Sequence, residues 1–152
     1  MKREELTKII IELQSFLFGA ESVWAKDLGQ DLFELRNAPF FATHLNYGDV
    51  VKAISPKRQW NPHFKKLVRR GPHRTWRFVF RNDTPAKDRK SLLKKITKLN
   101  CALEGMNGAL ICVSIPPKSN VSKVKQLLSV HPAKVWYFKH WPKSLIKEMN
   151  QE

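Results

Sequence analysis

The chain has 152 residues, 42% of them hydrophobic and 11% aromatic, which suits one compact unit or two very small ones and excludes wholesale disorder. No apolar run nears the ~20 residues that a bilayer-spanning helix needs. The net charge of +15 calls for an anionic partner: nucleic acid, an acidic protein surface or anionic lipid.

The N-terminus, M-K-R-E-E-L-T-K-I-I-I-E-L-Q, places basic residues before an apolar stretch. Lys8, Glu12 and Gln14 interrupt that stretch and no small-x-small cleavage site follows, so a signal peptide is rejected. Leu6, Ile9, Ile10, Leu13, Phe16 and Leu17 fit a helical period, while Lys8 to Gln14 also fits a β-branched strand. Ser22 to Ala25, Leu32 to Arg36 and Val50 to Ile54 read as short strands, the first two joined by a turn at Gly29-Gln30-Asp31. Residues 1–56 are therefore expected to form a small β-barrel-like unit. They are acidic, with 6 Lys and Arg against 8 Asp and Glu. Residues 57–73, from Lys57-Arg58-Gln59-Trp60-Asn61-Pro62 onward, read as a basic connecting segment.

Residues 74–152 show a clearer order. In R-T-W-R-F-V-F-R, Trp76, Phe78 and Phe80 share one face of a strand and Arg77 and Arg81 the other. Thr84-Pro85 offers a cap and a first helical proline, followed by a stripe of Leu92, Leu93, Ile96 and Leu99. Lysines 87, 90, 94, 95 and 98 lie mostly outside that stripe, and Asn100 can end the helix. Cys101 to Glu104, a turn at Gly105 to Gly108, and Ala109 to Ile115 read as a hairpin. Ser119 or Asn120 can cap a second helix carrying Val121, Val124, Leu127 and Leu128, stopped at His131-Pro132. Val135 to His140 is a last strand. Strand, helix, hairpin, helix, strand is the split βαβ, ferredoxin-like pattern. The expected fold class is α+β: a small barrel-like unit packed on a ferredoxin-like half.

Several stretches together resemble a bacterial domain-of-unknown-function family, number 4265. They are E-S-V-W-A-K-D-L-G, F-E-L-R-N-A-P-F-F-A, N-Y-G-D-V-V-K-A, V-R-R-G-P-H-R-T-W-R-F-V-F, L-N-C-A-L-E-G and V-S-I-P-P, in that order. The resemblance runs from about Lys8 to Lys139. Its most specific part is Pro39-Phe40-Phe41-Ala42 with Tyr47-Gly48-Asp49-Val50-Val51. It implies that the N-terminus is a strand, and it carries no catalytic residue or cofactor to transfer. The second half of this chain is more basic than the family pattern, which implies that the positive surface serves this protein's own task.

Catalytic and metal chemistry find little support in the residues. His44, His63, His73, His131 and His140 are scattered, with no pair at i, i+4. Cys101 and Cys112 have neither metal nor redox spacing, so a reduced, cytoplasmic protein is expected. There is no phosphate-cradling glycine loop, and no cofactor is expected. His44 with Asp49 is the one acid-base pair the sequence offers, and an enzyme centred there is the third reading.

Charge carries more. Residues 57–98 hold 15 Lys and Arg against Asp83 and Asp88. Trp60, Lys65, Lys66, Arg69, Arg70, Arg74, Arg77, Arg81 and Trp141 are the expected partner-binding residues, since Arg and Trp are frequent interface anchors. The expected function is non-enzymatic: an immunity- or inhibitor-type protein that neutralises an acidic protein partner, with no membrane role. The alternative is an RNA- or DNA-binding protein making mainly phosphate contacts. Base stacking on the open sheet face is not supported, because the first strand turns its aromatics toward the core.

Overall fold

The computed structural model describes residues 3–13, 19–106, 109–119, 121–133 and 135–137. It is a mixed α+β protein with a closed five-stranded barrel, a four-stranded sheet and two helices. The chain divides into two units between Pro72 and His73.

The first unit contains β1 (Thr7–Glu12), β2 (Ala20–Gly29), β3 (Leu32–Leu35), β4 (Val50–Ile54) and β5 (His63–Arg69). Strand wins over helix at the N-terminus because Ile9 and Ile11, two apart, are both buried in the barrel core. Val23, Ala25, Phe33, Leu35, Val51 and Ala53 supply the same core from the next three strands. Gln30 and Asp31 both have positive φ, the pattern of a two-residue type I′ hairpin turn whose twist matches the flanking strands. A single parallel bridge closes the barrel: Ile10 pairs with His63, and the Ile10 amide donates to the Pro62 carbonyl at 2.9 Å.

β5 corrects the reading of residues 57–73 as a connector. It pairs with β4 along its length, but Val50–Val51 faces Arg69–Leu67 and Lys52–Ala53 faces Lys66–Phe64, so each step carries one extra residue on β5. These are bulges at Val68 and Lys65. They break the two-residue alternation: Phe64 and Leu67 pack on the core three residues apart, and Lys65, Lys66, Val68 and Arg69 are all exposed.

The second unit contains β6 (Arg74–Phe80), α1 (Ala86–Lys98), β7 (Ala102–Met106), β8 (Leu110–Ile115), α2 (Val121–Val130) and β9 (Val135–Tyr137). The sheet order is β7-β8-β6-β9 and every pair is antiparallel. Phe78 and Phe80 from β6, Ile111, Val113 and Ile115 from β8, Leu92 and Ile96 from α1, and Val124 and Leu128 from α2 form one apolar cluster. Both helices therefore cover the same sheet face. Local details differ from expectation. Pro85 rather than Thr84 holds the N-cap position, without a side-chain cap bond. Gly105 and Met106 extend β7, opposite Ile111 and Leu110, instead of forming the turn. Of the two cap candidates for α2, the Ser119 hydroxyl donates to the Leu99 carbonyl at 2.9 Å, and Asn120 lies outside the described residues. Asn100, with φ of 62°, does end α1.

Candidate partner-binding surfaces

The Asn37–Val51 stretch is fastened to the barrel by side-chain oxygens that satisfy loop amides. The Glu21 carboxylate on β2 accepts from the amides of Phe40, Phe41 and Ala42 at 2.9, 3.0 and 2.6 Å. Asn37 Oδ1 accepts from the Trp24 amide at 2.6 Å. Asp49 is fully buried, and its carboxylate accepts from the amides of Gly71 and Asn46 and from the Arg70 guanidinium, at 2.7, 2.8 and 2.9 Å. The same Arg70 nitrogen donates to the His44 carbonyl at 2.6 Å. Such a charge survives burial because its lone pairs are occupied. Gly71 lies so close to this turn that a Cβ there would sit 2.5 Å from the carbonyl carbon and oxygen of Gly48. The Gly48-Asp49 element is thus a clasp, and Asp49 directs its bonds to Gly71, Asn46 and Arg70 rather than to the exposed His44, whose ring lies edge-on to Phe64.

The expected partner-binding residues divide by fate. Lys65, Lys66 and Arg69 stand exposed on the outside of the barrel. Lys66 lies directly opposite Lys52 on β4, and the exposed Ile54 ends the same strand. Trp60 is 54% exposed, with the Lys57 ammonium 4.7 Å from its ring centroid, a cation–π contact. Arg74 is exposed at the start of β6. Arg81 is exposed beside Asp83, 3.5 Å away. Arg70 is only half available, since its guanidinium holds Asp49. Arg77 is a correction: it is 6% exposed, in a row with buried Val79 on β6 and buried Leu110, Cys112 and Ser114 on β8. The middle of this second sheet face is buried, so Arg77 is no docking residue. Trp141 lies outside the described residues.

Neither cysteine is poised for nucleophilic chemistry. Cys101 and Cys112 are buried, and burial pushes the Cys101 thiol above its ordinary pKa. Among the described residues, no three of His, Cys, Asp and Glu converge as a metal site would require. No described helix is long and apolar enough to cross a membrane.

The clasp residues and the strands they join fall inside a recognised family model, described as a domain of unknown function, DUF4265, which matches residues 21–137. The chain belongs to that family. The crystal structure of a hypothetical protein from Neisseria gonorrhoeae is similar in fold, with a TM-score of 0.64 over 84% of this chain and 87% of that one, at 19% identity. No curated protein matches the sequence.

Within this DUF4265 chain, sequence reasoning passed over two sets of surface residues. Lys52 and Ile54 join Lys65, Lys66 and Arg69 only through the β4–β5 register, and Val68 is turned outward beside them by its bulge. The second set lies between the helices: Lys95, Lys98 and Lys123 rim a groove of about 350 Å³ whose apolar lining is Leu99, Leu127 and Val130. The available signal was Val130, an apolar residue that the helical stripe does not need. It is 72% exposed.

Proposed function

We propose that this protein is a non-enzymatic binding protein that engages an anionic macromolecule, with an acidic protein surface as its partner, in the manner of an immunity or inhibitor protein. One observation carries the reading. The two bulges of β5 turn Lys65, Lys66, Val68 and Arg69 outward together, beside Lys52 and Ile54. Like charges directly opposite each other, as at Lys52 and Lys66, destabilise a strand pair. A barrel that carries this pair and exposes two β-branched apolar side chains next to it has a surface suited to desolvated contact with acidic and apolar groups. A purely phosphate-tracking surface has no use for Ile54 and Val68.

The rest of the reading follows the same logic. The order β7-β8-β6-β9, with α1 and α2 on one face, supports a ferredoxin-like second unit. Its other face is occupied by buried Arg77, Val79 and Cys112, which argues against a base-stacking platform. Two buried thiols in place of a disulfide support a reducing, cytoplasmic setting. The nucleic-acid alternative rests on the exposed cations alone. Fluorescence polarisation with generic RNA and DNA at two salt concentrations separates the two. The protein reading expects weak binding to both. Submicromolar binding with a steep salt slope would instead establish the phosphate reading. A toxin-domain gene immediately upstream of this one would support the immunity role.

A further inference from the structure

The two helices carry a second, differently built surface. On α1 and its C-cap, Lys95, Lys98 and Leu99 are spaced i, i+3, i+4, and on α2, Lys123, Gln126, Leu127 and Val130 follow the same spacing. Their inward neighbours, Leu92 and Ile96 on α1 and Val124 and Leu128 on α2, are committed to the core. The 95–98–99 row and the 123–127–130 row therefore line the groove from opposite sides. Leu99 and Leu127 are half-buried and form its floor, and Val130 lines it while exposed. The lining contains three lysines and no acidic residue. By sequence, the two helices carry eight Lys and Arg, at 87, 89, 90, 94, 95, 98, 123 and 125, and one acidic residue, Asp88.

We propose that the α1–α2 groove is a docking site for an acidic amphipathic helix of a partner protein. Apolar side chains one turn apart would enter over Leu99, Leu127 and Val130, and flanking Asp or Glu would meet Lys95, Lys98 and Lys123. Helix-in-groove recognition needs an apolar floor, and a rim of one charge selects a helix flanked by the opposite charge. Charge decides the occupant. A second copy docking groove to groove would bring lysine against lysine. A nucleic acid would use the lysines but leave Leu127 and Val130 against a polar backbone. This second site stands whether or not the β4–β5 surface binds anything.

The test uses the full chain and a panel of fluorescent peptides of about 18 residues, five helical turns. Each carries Leu, Ile or Val at i, i+3, i+4, i+7 and glutamates on the flanks, and each has a scrambled isomer of equal charge. Anisotropy should show binding of patterned peptides at least about tenfold tighter than their scrambles. Val130→Glu and the double variant Lys95→Glu/Lys98→Glu should each lose at least about tenfold, since all three side chains are exposed and the fold should be unaffected by circular dichroism. Amide shifts on titration should centre on Leu99, Gln126, Leu127 and Val130. Equal binding of the scrambles would reduce the groove to diffuse charge and overturn the proposal. So would binding lost only in Lys65→Glu/Lys66→Glu/Arg69→Glu, or no panel member binding at about 100 μM. A dimer dissociated by Val130→Glu in sedimentation would assign the groove to a second copy and overturn it as well.

Discussion

The barrel and the helix–sheet unit use charge in opposite ways. In the barrel, carboxylates are fasteners. Asp49 clasps Arg70 and two amides, Glu21 gathers three loop amides, and Glu4 and Glu34 hold Arg36 at 2.8 and 2.5 Å. That pairing keeps Glu4 below its ordinary pKa and raises Arg36 above its own. In the second unit, apolar packing under the sheet does the holding. Between His73 and Lys139 only Asp83, Asp88 and Glu104 stand against 14 Lys and Arg. The contrast teaches that net charge alone does not locate a binding surface. A cation tied to a carboxylate inside the fold, as Arg36 and Arg70 are, is scaffold, and exposed cations such as Lys65, Lys66 and Arg69 make the field.

The largest effects should fall on different chemistry in the two units. Asp49→Ala strips the acceptor from Arg70 and two amides and should cost about 3 kcal/mol in urea denaturation. Phe80→Ala, at a 1% exposed core position, should cost about 3–5 kcal/mol by cavity formation. If Asp49→Ala is nearly neutral while Phe80→Ala is not, the clasp is not what holds the barrel loop. Gly71→Ala comes next, at about 1–3 kcal/mol, because its Cβ meets the Gly48 backbone, which no rotamer change can relieve. A melting temperature equal to that of the parent would refute that close approach.

Charge reversal sharpens the comparison at lower energetic cost. Lys65→Glu/Lys66→Glu/Arg69→Glu should abolish partner binding and leave stability within about 0.5 kcal/mol per site, since the three side chains are exposed and the Lys52–Lys66 repulsion is relieved. Arg70→Glu, in contrast, should destabilise the barrel, because it confronts buried Asp49 with a like charge. Equal stability of the two variants would erase the distinction between field and fastener.

The smallest effect is a pH dependence in the second unit. The His131 Nδ1 accepts from the Ala133 amide at 3.1 Å, so Nε2 carries the proton toward Ser91 Oγ, 3.2 Å away. Burial, and then Lys95, hold this imidazole below the ordinary value of 6.5 against the opposing pull of Asp88. Burial depresses His73 in the same direction. The unfolded imidazoles therefore protonate first as pH falls. Stability is complete above about pH 6.5 and is lost as pH drops through the lower folded values. Melting curves at successive pH values should show this decline, reduced in His131→Asn. A flat profile between pH 7.5 and 5 would contradict it.

How much of this was legible depended on whether each signal was local. The alternation Trp76, Phe78, Phe80 and the stripe Leu92, Ile96, Leu99 gave β6 and α1, because a strand face and a helix face each repeat at a fixed period. β1 was ambiguous until the strand reading implied by family resemblance was met by Ile9 and Ile11 in the barrel core. β5 was hidden, since its bulges separate Phe64 and Leu67 by three residues. Arg77 looked like surface because it alternates with core aromatics, yet it and its neighbours Val79, Leu110, Cys112 and Ser114 are buried as well.

By itself, then, the sequence determined the second unit's order of elements and the excess of cations, both of which follow from local period and composition. Tertiary structure decided the rest. It made His63–Arg69 a strand of the barrel, buried Asp49 and Arg77, tied Arg70 to the clasp, and set Lys95 and Lys98 across a groove from Lys123. The physical reason is that burial and pairing depend on which distant backbone lies opposite, and neither bulged register nor the second face of a sheet leaves a trace in residue spacing.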